Sequence, residues 1–456
     1  MTTVPFFSKS SAVAVLSRMT RDPRAPLSAM IEVADRCNHV CVHCYQVQGQ
    51  KGEMTTDEIR RVIDELAEMG VLFLTISGGE ATLRDDFLAI VAHARARRFA
   101  VKVFTNGYTM TPELARELRR LAVQEVQISL YSHRAEVHDW VTRVPGSWAR
   151  TVDGARALIA EGVHVVLKTP FMSVNVDDRQ AYVAFVTALG ADYAFDPEGL
   201  NPREDGDRTP EMLDPPAHVI ADVLADPTLV PTASSEQAIG SGASRLDESP
   251  CTACSGCVHV EANGEVRPCT QLVVSCGDAR TEGVRAAWRS ETAESIRSLT
   301  WRDHHGCRAC ALLPHCGRCF ADAATIGGDA LGPYTAACTR ARRTYEGATG
   351  RPFVVSDVLG LGRDPRLGPY REGPGGFELA PDVVDERDEA LAARLGWTRR
   401  APSAAPTGHV VPGGLVQIRR PGARRSEAER VPAAPDADRD GRRRELVCST
   451  APRPTE

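Results

Sequence analysis

The sequence predicts an α/β chain made of a (βα)6 partial barrel, then a small cysteine-rich α+β region, then a disordered C-terminal tail. Three observations predict it. Between about residues 29 and 196, short apolar runs alternate with stretches of helical period, the pattern of repeated βα units around a parallel sheet. Ten of the 14 cysteines crowd between Cys251 and Cys338. Beyond about residue 398, Ala, Pro, Arg and Gly dominate and leave too little apolar surface to offset the entropy of ordering. These features divide the chain into an N-terminal extension (1–28), the barrel core (29–196), a bridging region rich in Pro, Asp and Gly (197–249), the cysteine-rich region (250–345), a C-terminal extension (346–397) and the tail (398–456).

The six strands are expected at 30–34, 71–77, 100–105, 125–130, 163–169 and 192–195, where β-branched and other apolar residues cluster. The first helix is the best marked. Thr55 and Glu58 have capping-box spacing, Ile59, Val62, Ile63, Leu66 and Met69 share one face, and Gly70 ends it. Further helices are expected over 85–98, 111–122 with Pro112 in its first turn, 148–161 and 177–189, each following its strand. One more falls at 217–224 in the bridging region.

With 456 residues and 43% hydrophobic composition, the chain can bury a substantial core. Its net charge of −6 and pI near 6.1 provide no basic field to draw it to nucleic acid or an anionic membrane, and neither is an expected partner. No apolar run reaches the roughly 18 to 20 residues that cross a bilayer, and residues 1–17 lack the pattern of a signal peptide. A cytoplasmic location is expected, and there clustered cysteines more often bind metal than form disulfides.

Cys37, Cys41 and Cys44 follow the first strand, at the C-terminal mouth where barrels of βα units hold their active sites. Three thiolates can each take one iron of a cubane cluster and leave the fourth iron open to a non-protein ligand. The competing reading is a Cys3His zinc site using His39 or His43, although structural zinc prefers paired Cys-x-x-Cys knuckles. The second strand runs into Gly78-Gly79-Glu80, where glycine lets backbone approach a ligand closely and a carboxylate can accept from an ammonium group. On its own, a Gly-Gly pair reads equally as a turn.

The three-then-two cysteine spacing, with an aromatic His43 before the last cysteine, resembles the motif of the radical S-adenosylmethionine (SAM) superfamily, whose fold is a partial TIM barrel. The resemblance covers about residues 29–196. It implies a [4Fe-4S] cluster on Cys37, Cys41 and Cys44 with one open iron, SAM bound there, and Gly78, Gly79 and Glu80 at the amino group of its methionine half. Asn106, Ser129 and Lys168, all at strand ends, fall at further positions of the family pattern, Ser129 as a ribose contact and Lys168 as a carboxylate contact. An ordinary turn or strand-end role fits each of these three equally well. The implied chemistry is reductive cleavage of SAM to a 5′-deoxyadenosyl radical that abstracts hydrogen from a substrate.

Two tetrathiolate sites need eight cysteines, and the array from Cys251 to Cys338 offers ten, so two clusters with two spare thiols is the natural partition. Zinc ribbons would use similar Cys-x-x-Cys knuckles. Set beside the first motif, the array resembles the SPASM extension of radical SAM enzymes. The match from Cys307 through Cys310 to Cys316 is complete, but two residues rather than three separate Cys316 from Cys319. By that resemblance one auxiliary [4Fe-4S] cluster would use Cys251, Cys257, Cys269 and Cys319, and the other Cys307, Cys310, Cys316 and Cys338, with Cys254 able to replace Cys251. Cys276 is either a small buried residue or a thiol that reaches the substrate as a catalytic hydrogen donor or ligand. Cys448 has no assigned role.

Enzymes of this layout mostly modify peptides or proteins, so a peptide or protein side chain is the expected substrate. Oxidation or decarboxylation of a small molecule such as a tetrapyrrole or a cofactor precursor is the alternative. A non-catalytic iron-sulfur scaffold is a remote third reading, which leaves Gly78-Gly79-Glu80 without a purpose. A flavodoxin or ferredoxin reductant is expected. Only about 28 residues precede the first strand, so a separate leader-peptide-binding protein is expected if a leader is captured.

Overall fold

A computed structural model describes residues 26–196 continuously, most of 200–353, and two short strands at 371–378. The expected tail, with Cys448, and most of the expected C-terminal extension lie outside the described residues. Six parallel strands run in chain order: β1 (Ser28–Ala34), β2 (Phe73–Gly78), β3 (Ala100–Thr105), β4 (Glu125–Ser129), β5 (Val165–Pro170) and β6 (Asp192–Asp196). Their helices are α1 (Thr56–Glu68), α2 (Phe87–Ala96), α3 (Pro112–Arg120), α4 (Ala135–Thr142), α5 (Ser147–Ala160) and α6 (Arg179–Leu189). All six expected strands are present, with ends that differ by up to two residues.

Helix α4 is the element the periodicity did not disclose, since half of its short buried stripe is polar, His138 and Thr142 beside Val137 and Val141. The capping box of α1 forms as expected, Thr55 and Glu58 each satisfying the other's backbone N–H. In the bridging region α7 (Ala217–Leu224) occupies its expected span.

Alternation along the strands separates two faces of the sheet. Ile31, Leu74, Ile76, Val101, Val103, Val126, Ile128 and Leu167 are buried against the helices in one continuous core. The intervening Met30, Ser77, Phe104, Gln127, Ser129 and Lys168 line a cavity on the other face. The barrel interior therefore holds an open cavity rather than a packed core.

The cysteine-rich region contributes β7 (Cys257–Val260), β8 (Glu265–Arg267) and β9 (Gly277–Asp278), followed by α8 (Val284–Trp288), α9 (Glu291–Arg297), α10 (Phe320–Thr325) and α11 (Thr335–Thr349). β7 pairs parallel with the free edge of β1, Ser28 opposite Cys257 and Ile31 opposite Val260. The sheet is thus a single nine-stranded one in the order β6-β5-β4-β3-β2-β1-β7-β8-β9, and its hydrogen bonding runs unbroken past the boundary expected near residue 250.

A carboxylate fastens the two parts further. Glu65 of α1 accepts the backbone N–H groups of Val284 (2.7 Å) and Arg285 (3.0 Å), capping α8 from another element. Replacing Glu65 by Ala is expected to lower stability by about 1 kcal/mol, read from the denaturant midpoint of the full-length protein, whereas Glu65→Gln should retain part of it.

Candidate active site

The loop that carries Cys37, Cys41 and Cys44 leaves β1 and is held at several points. Asp35 accepts the N–H groups of Lys51 (2.7 Å) and Gly52 (3.1 Å), closing the loop on itself. Val40 and Val42 donate to the carbonyls of Thr142 (3.1 Å) and Val141 (2.9 Å) at the end of α4, so the helix missed in the sequence anchors the cysteine loop. Burial pushes the Cys37 thiol up to about 12, with the charges of Glu80 and Cys44 adding and the His39 N–H opposing. A thiol so placed is ionised at neutral pH only when a metal takes the thiolate.

The glycine pair is required by this loop. A side chain on Gly78, at φ +141°, would run into the Ala34 backbone, and a Cβ on Gly79 would stand 2.5 Å from the Arg36 carbonyl oxygen. The contact is made by hydrogen bonds, Gly79 N–H to the Ala34 carbonyl (2.7 Å) and Glu80 N–H to the Arg36 carbonyl (3.0 Å).

Glu80 itself turns inward and is 1% exposed. One carboxylate oxygen accepts from Thr82 N–H (3.2 Å), Thr82 Oγ1 (2.6 Å) and Thr105 Oγ1 (2.7 Å), and the other accepts from Asn106 N–H (2.6 Å). Burial raises its pKa despite these bonds. Its first task in the fold is to tie the ends of β2 and β3 together beneath the cavity floor.

Asn106 carries that tie to the cysteine loop, donating from Nδ2 to Asn38 Oδ1 at 2.6 Å, with Cys37 Sγ at 3.9 Å. The Ser129 hydroxyl bonds the Tyr131 hydroxyl, which lies 3.8 Å from Cys41 Sγ. Lys168 stands over the Phe104 ring at 5.4 Å, within cation–π range. His43 meets Tyr131 edge-on at 4.6 Å between ring centroids. Cys37, Cys41, Cys44, His43, Gly78, Gly79, Asn106, Ser129 and Lys168 all line one cavity of about 340 Å³, while Glu80 lies behind its wall.

Sequence reasoning missed Tyr131, although an aromatic two residues beyond Ser129 at a strand end was visible. It is held by its N–H to His138 Nδ1 (3.1 Å) and its carbonyl to Asn175 Nδ2 (3.0 Å). Also missed were Thr270 and Gln271, which close the cavity from the cysteine-rich side directly after Cys269.

The remaining cysteines fall into electrostatic neighbourhoods. Cys251 feels the charges of Cys269, Cys257 and Cys319. Cys338 feels those of Cys307, Cys316 and Cys310. The shortened spacing before Cys319 leaves it in the first set. Among the described residues no three His, Cys, Asp or Glu side chains converge on a single metal ion. Cys254 and Cys276 are both buried, and the Cys254 thiol is hydrogen-bonded to that of Cys276 while lying within the field of Cys257 of the first set. Cys254 therefore adjoins a different thiol from the one it was expected to replace, and Cys276 packs in the core and is not among the residues lining the cavity.

Comparison with known proteins agrees with this geometry. Residues 31–186 match the model of the Radical SAM superfamily, and residues 251–311 match that of an iron-sulfur cluster-binding domain, SPASM. These matches give the chain a radical SAM domain followed by a SPASM-type iron-sulfur cluster-binding domain. It is 28% identical over 337 residues to the AdoMet-dependent heme synthase of Methanosarcina barkeri, an alignment covering 67% of this chain and 95% of that protein. It is 38% identical over 180 residues to mycofactocin maturase MftC of Mycobacterium tuberculosis, covering 39% of this chain and 46% of the maturase. The chain thus matches about half the length of the maturase. In fold it is similar to Streptococcus suis SuiB bound to its precursor peptide SuiA (TM-score 0.54, 14% identity, 69% of this chain and 76% of that one). A similar likeness holds for anSMEcpe with bound AdoMet and Cp18Cys peptide (TM-score 0.54, 15% identity, 74% and 100%). These structures establish the shared fold.

Two outcomes follow from the site. Gly79→Val is expected to displace the Arg36–Cys37 backbone and remove about four irons per chain while the auxiliary iron stays, measured by iron assay after anaerobic reconstitution. Burial, with the His39 charge adding, holds His138 at about 3, below its ordinary 6.5. Between those values the unfolded chain binds a proton that the folded chain does not. Stability is then lost as pH falls from 6.5 towards 3, by about 1.4 kcal/mol per pH unit from this group. Urea midpoints followed from neutral to mildly acidic pH should fall less steeply in His138→Gln than in the parent.

Proposed function

We propose that this enzyme uses a [4Fe-4S] cluster on Cys37, Cys41 and Cys44 to cleave SAM, and that its substrate is a peptide or protein side chain. One observation carries the reading: the cysteine loop, the Gly78-Gly79 turn and the Thr270-Gln271 wall all face a single cavity. When bound, the cluster and SAM supply a 5′-deoxyadenosyl radical able to abstract hydrogen from an unactivated C–H bond. The chain's own residues bind and orient. In this reading the Gly78-Gly79 backbone would meet the methionine end of SAM, with Glu80 bracing that turn from behind the wall, Asn106 and His43 would support the cysteine loop, and Ser129 and Lys168 would meet the ribose and the carboxylate.

The two further cysteine sets would hold auxiliary [4Fe-4S] clusters. The first reaches the cavity wall, since Cys319 Sγ lies 3.7 Å from Gln271 Oε1. Fully thiolate-ligated clusters have no open iron, which suits electron transfer to or from a substrate radical. A flavodoxin or ferredoxin is the reductant class in this reading, acting in a reducing cytosol, and leader capture would fall to a separate protein. Among the described residues no helix is long and apolar enough to cross a membrane.

The peptide assignment is supported by relatives named as a maturase and a peptide cyclase and by neighbours that hold peptides. A tetrapyrrole substrate is the second reading, favoured by the alignment to heme synthase along 95% of that protein. Anaerobic turnover with SAM and reductant separates them. Deuterium from a perdeuterated peptide pool should enter 5′-deoxyadenosine, read by mass spectrometry, while label arriving from a deuterated iron porphyrin would select the second reading. Zinc in place of iron, or no SAM cleavage by fully loaded enzyme, would overturn both. Replacing Cys37, Cys41 and Cys44 together by Ala should abolish 5′-deoxyadenosine release and leave about eight of roughly twelve irons in place.

A further inference from the structure

Arg318 is 4% exposed. It immediately precedes Cys319 of one set. Its Nη2 donates to the carbonyls of Ala330 (2.7 Å) and Gly332 (2.6 Å), in the turn that leads into α11 and so to Cys338 of the other set. Nε and Nη1 have no acceptor among the described residues. Asp322, a buried carboxyl within its field, gives Oδ2 to the Tyr334 hydroxyl (2.9 Å) and is pushed by burial towards its neutral form.

A buried guanidinium with unspent donors is unfavourable unless an anion joins it. A [4Fe-4S] cluster held by four thiolates is such an anion, and its sulfur atoms accept hydrogen bonds. The charge of Arg318 also reaches Cys307 and Cys338 of the outer set.

We propose that Arg318 is a positioning residue for the auxiliary cluster of Cys307, Cys310, Cys316 and Cys338, donating from Nε and Nη1 to its sulfur atoms and raising its reduction potential. The proposal rests on the iron-sulfur reading above. Reduction adds one negative charge, which a fixed neighbouring cation stabilises, and N–H donors to cluster sulfur act in the same direction. The set of Cys319 borders the cavity and the set of Cys338 does not, so a higher potential at the latter draws electrons outward. A substrate radical that gives one electron to the inner cluster is oxidised by one electron. That cluster is reduced by one, and the electron passes to the outer cluster and on to a flavodoxin- or ferredoxin-class acceptor.

The test uses the full-length enzyme, reconstituted anaerobically, as the parent, Arg318→Met and Arg318→Lys, with iron assay and an EPR-monitored redox titration. The Met variant is expected to titrate one auxiliary signal at a more negative potential, with the Lys variant recovering part of the shift. Iron lost in the Met variant and restored in the Lys variant would equally support a required cation. An unmoved auxiliary midpoint in a fully loaded Met variant, or iron lost in both variants, would overturn the proposal. The SAM-dependent signal of the Cys37, Cys41 and Cys44 cluster is read in the same samples. Its absence in the parent would refute the radical SAM reading independently of Arg318.

Discussion

The approach of Gly78 and Gly79 to the backbone of Ala34–Arg36 is the contact on which the rest of the site depends. Two hydrogen bonds, Gly79 to Ala34 and Glu80 to Arg36, lock the end of β2 to the start of the cysteine loop. No side chain other than glycine leaves room for them. Once that contact forms, Glu80 is delivered beneath the floor, where it gathers the N–H and hydroxyl groups of Thr82, Thr105 and Asn106. Asn106 then reaches Asn38 in the cysteine loop, so three strand ends and the loop become one hydrogen-bonded unit. A carboxylate with four donors is a strong organiser because leaving any of them unmet in the interior would be costly.

A second buried network joins the barrel to the cysteine-rich region. Lys51 pairs with Glu204 (2.6 Å) and Glu261 (2.8 Å), and Arg267 pairs with Glu204 (3.1 Å), Glu261 and Glu265. His259 on β7 lies 3.4 Å from Glu32 on β1. Buried ion pairs contribute little net stability once desolvation is counted, yet they penalise alternative arrangements that separate the charges. Here the loop after the cysteine motif, the bridging region and the β7–β8 hairpin must meet in one register. That register brings Thr270 and Gln271, directly after Cys269, to the cavity.

Much of the fold was legible because its signals are local. The Thr55–Glu58 capping box, Pro112 at a first turn and the alternation of β1 to β6 each depend on residues a few positions apart. Their structural ends differ only slightly from those read. Helix α4 was hidden because His138 and Thr142 make half of its short buried face polar. Tyr131 and Gln271 were hidden because lining a cavity leaves no periodic trace. Glu80 was read as a ligand contact, and the structure adds that its carboxylate is already engaged by the protein. That distinction lies in which way one side chain turns.

The sequence by itself determined the six βα units and the cysteine spacings, because chain connectivity and short-range geometry leave few alternatives for them, whereas the interlaced grouping came only from resemblance to the SPASM extension. Tertiary structure alone decided that β7 extends the barrel's own sheet, that Cys254 adjoins Cys276, and that Arg318 is buried with donors to spare. Each of these outcomes depends on segments far apart in the chain meeting under the pressure to bury apolar surface and satisfy polar groups, and no local pattern encodes that meeting.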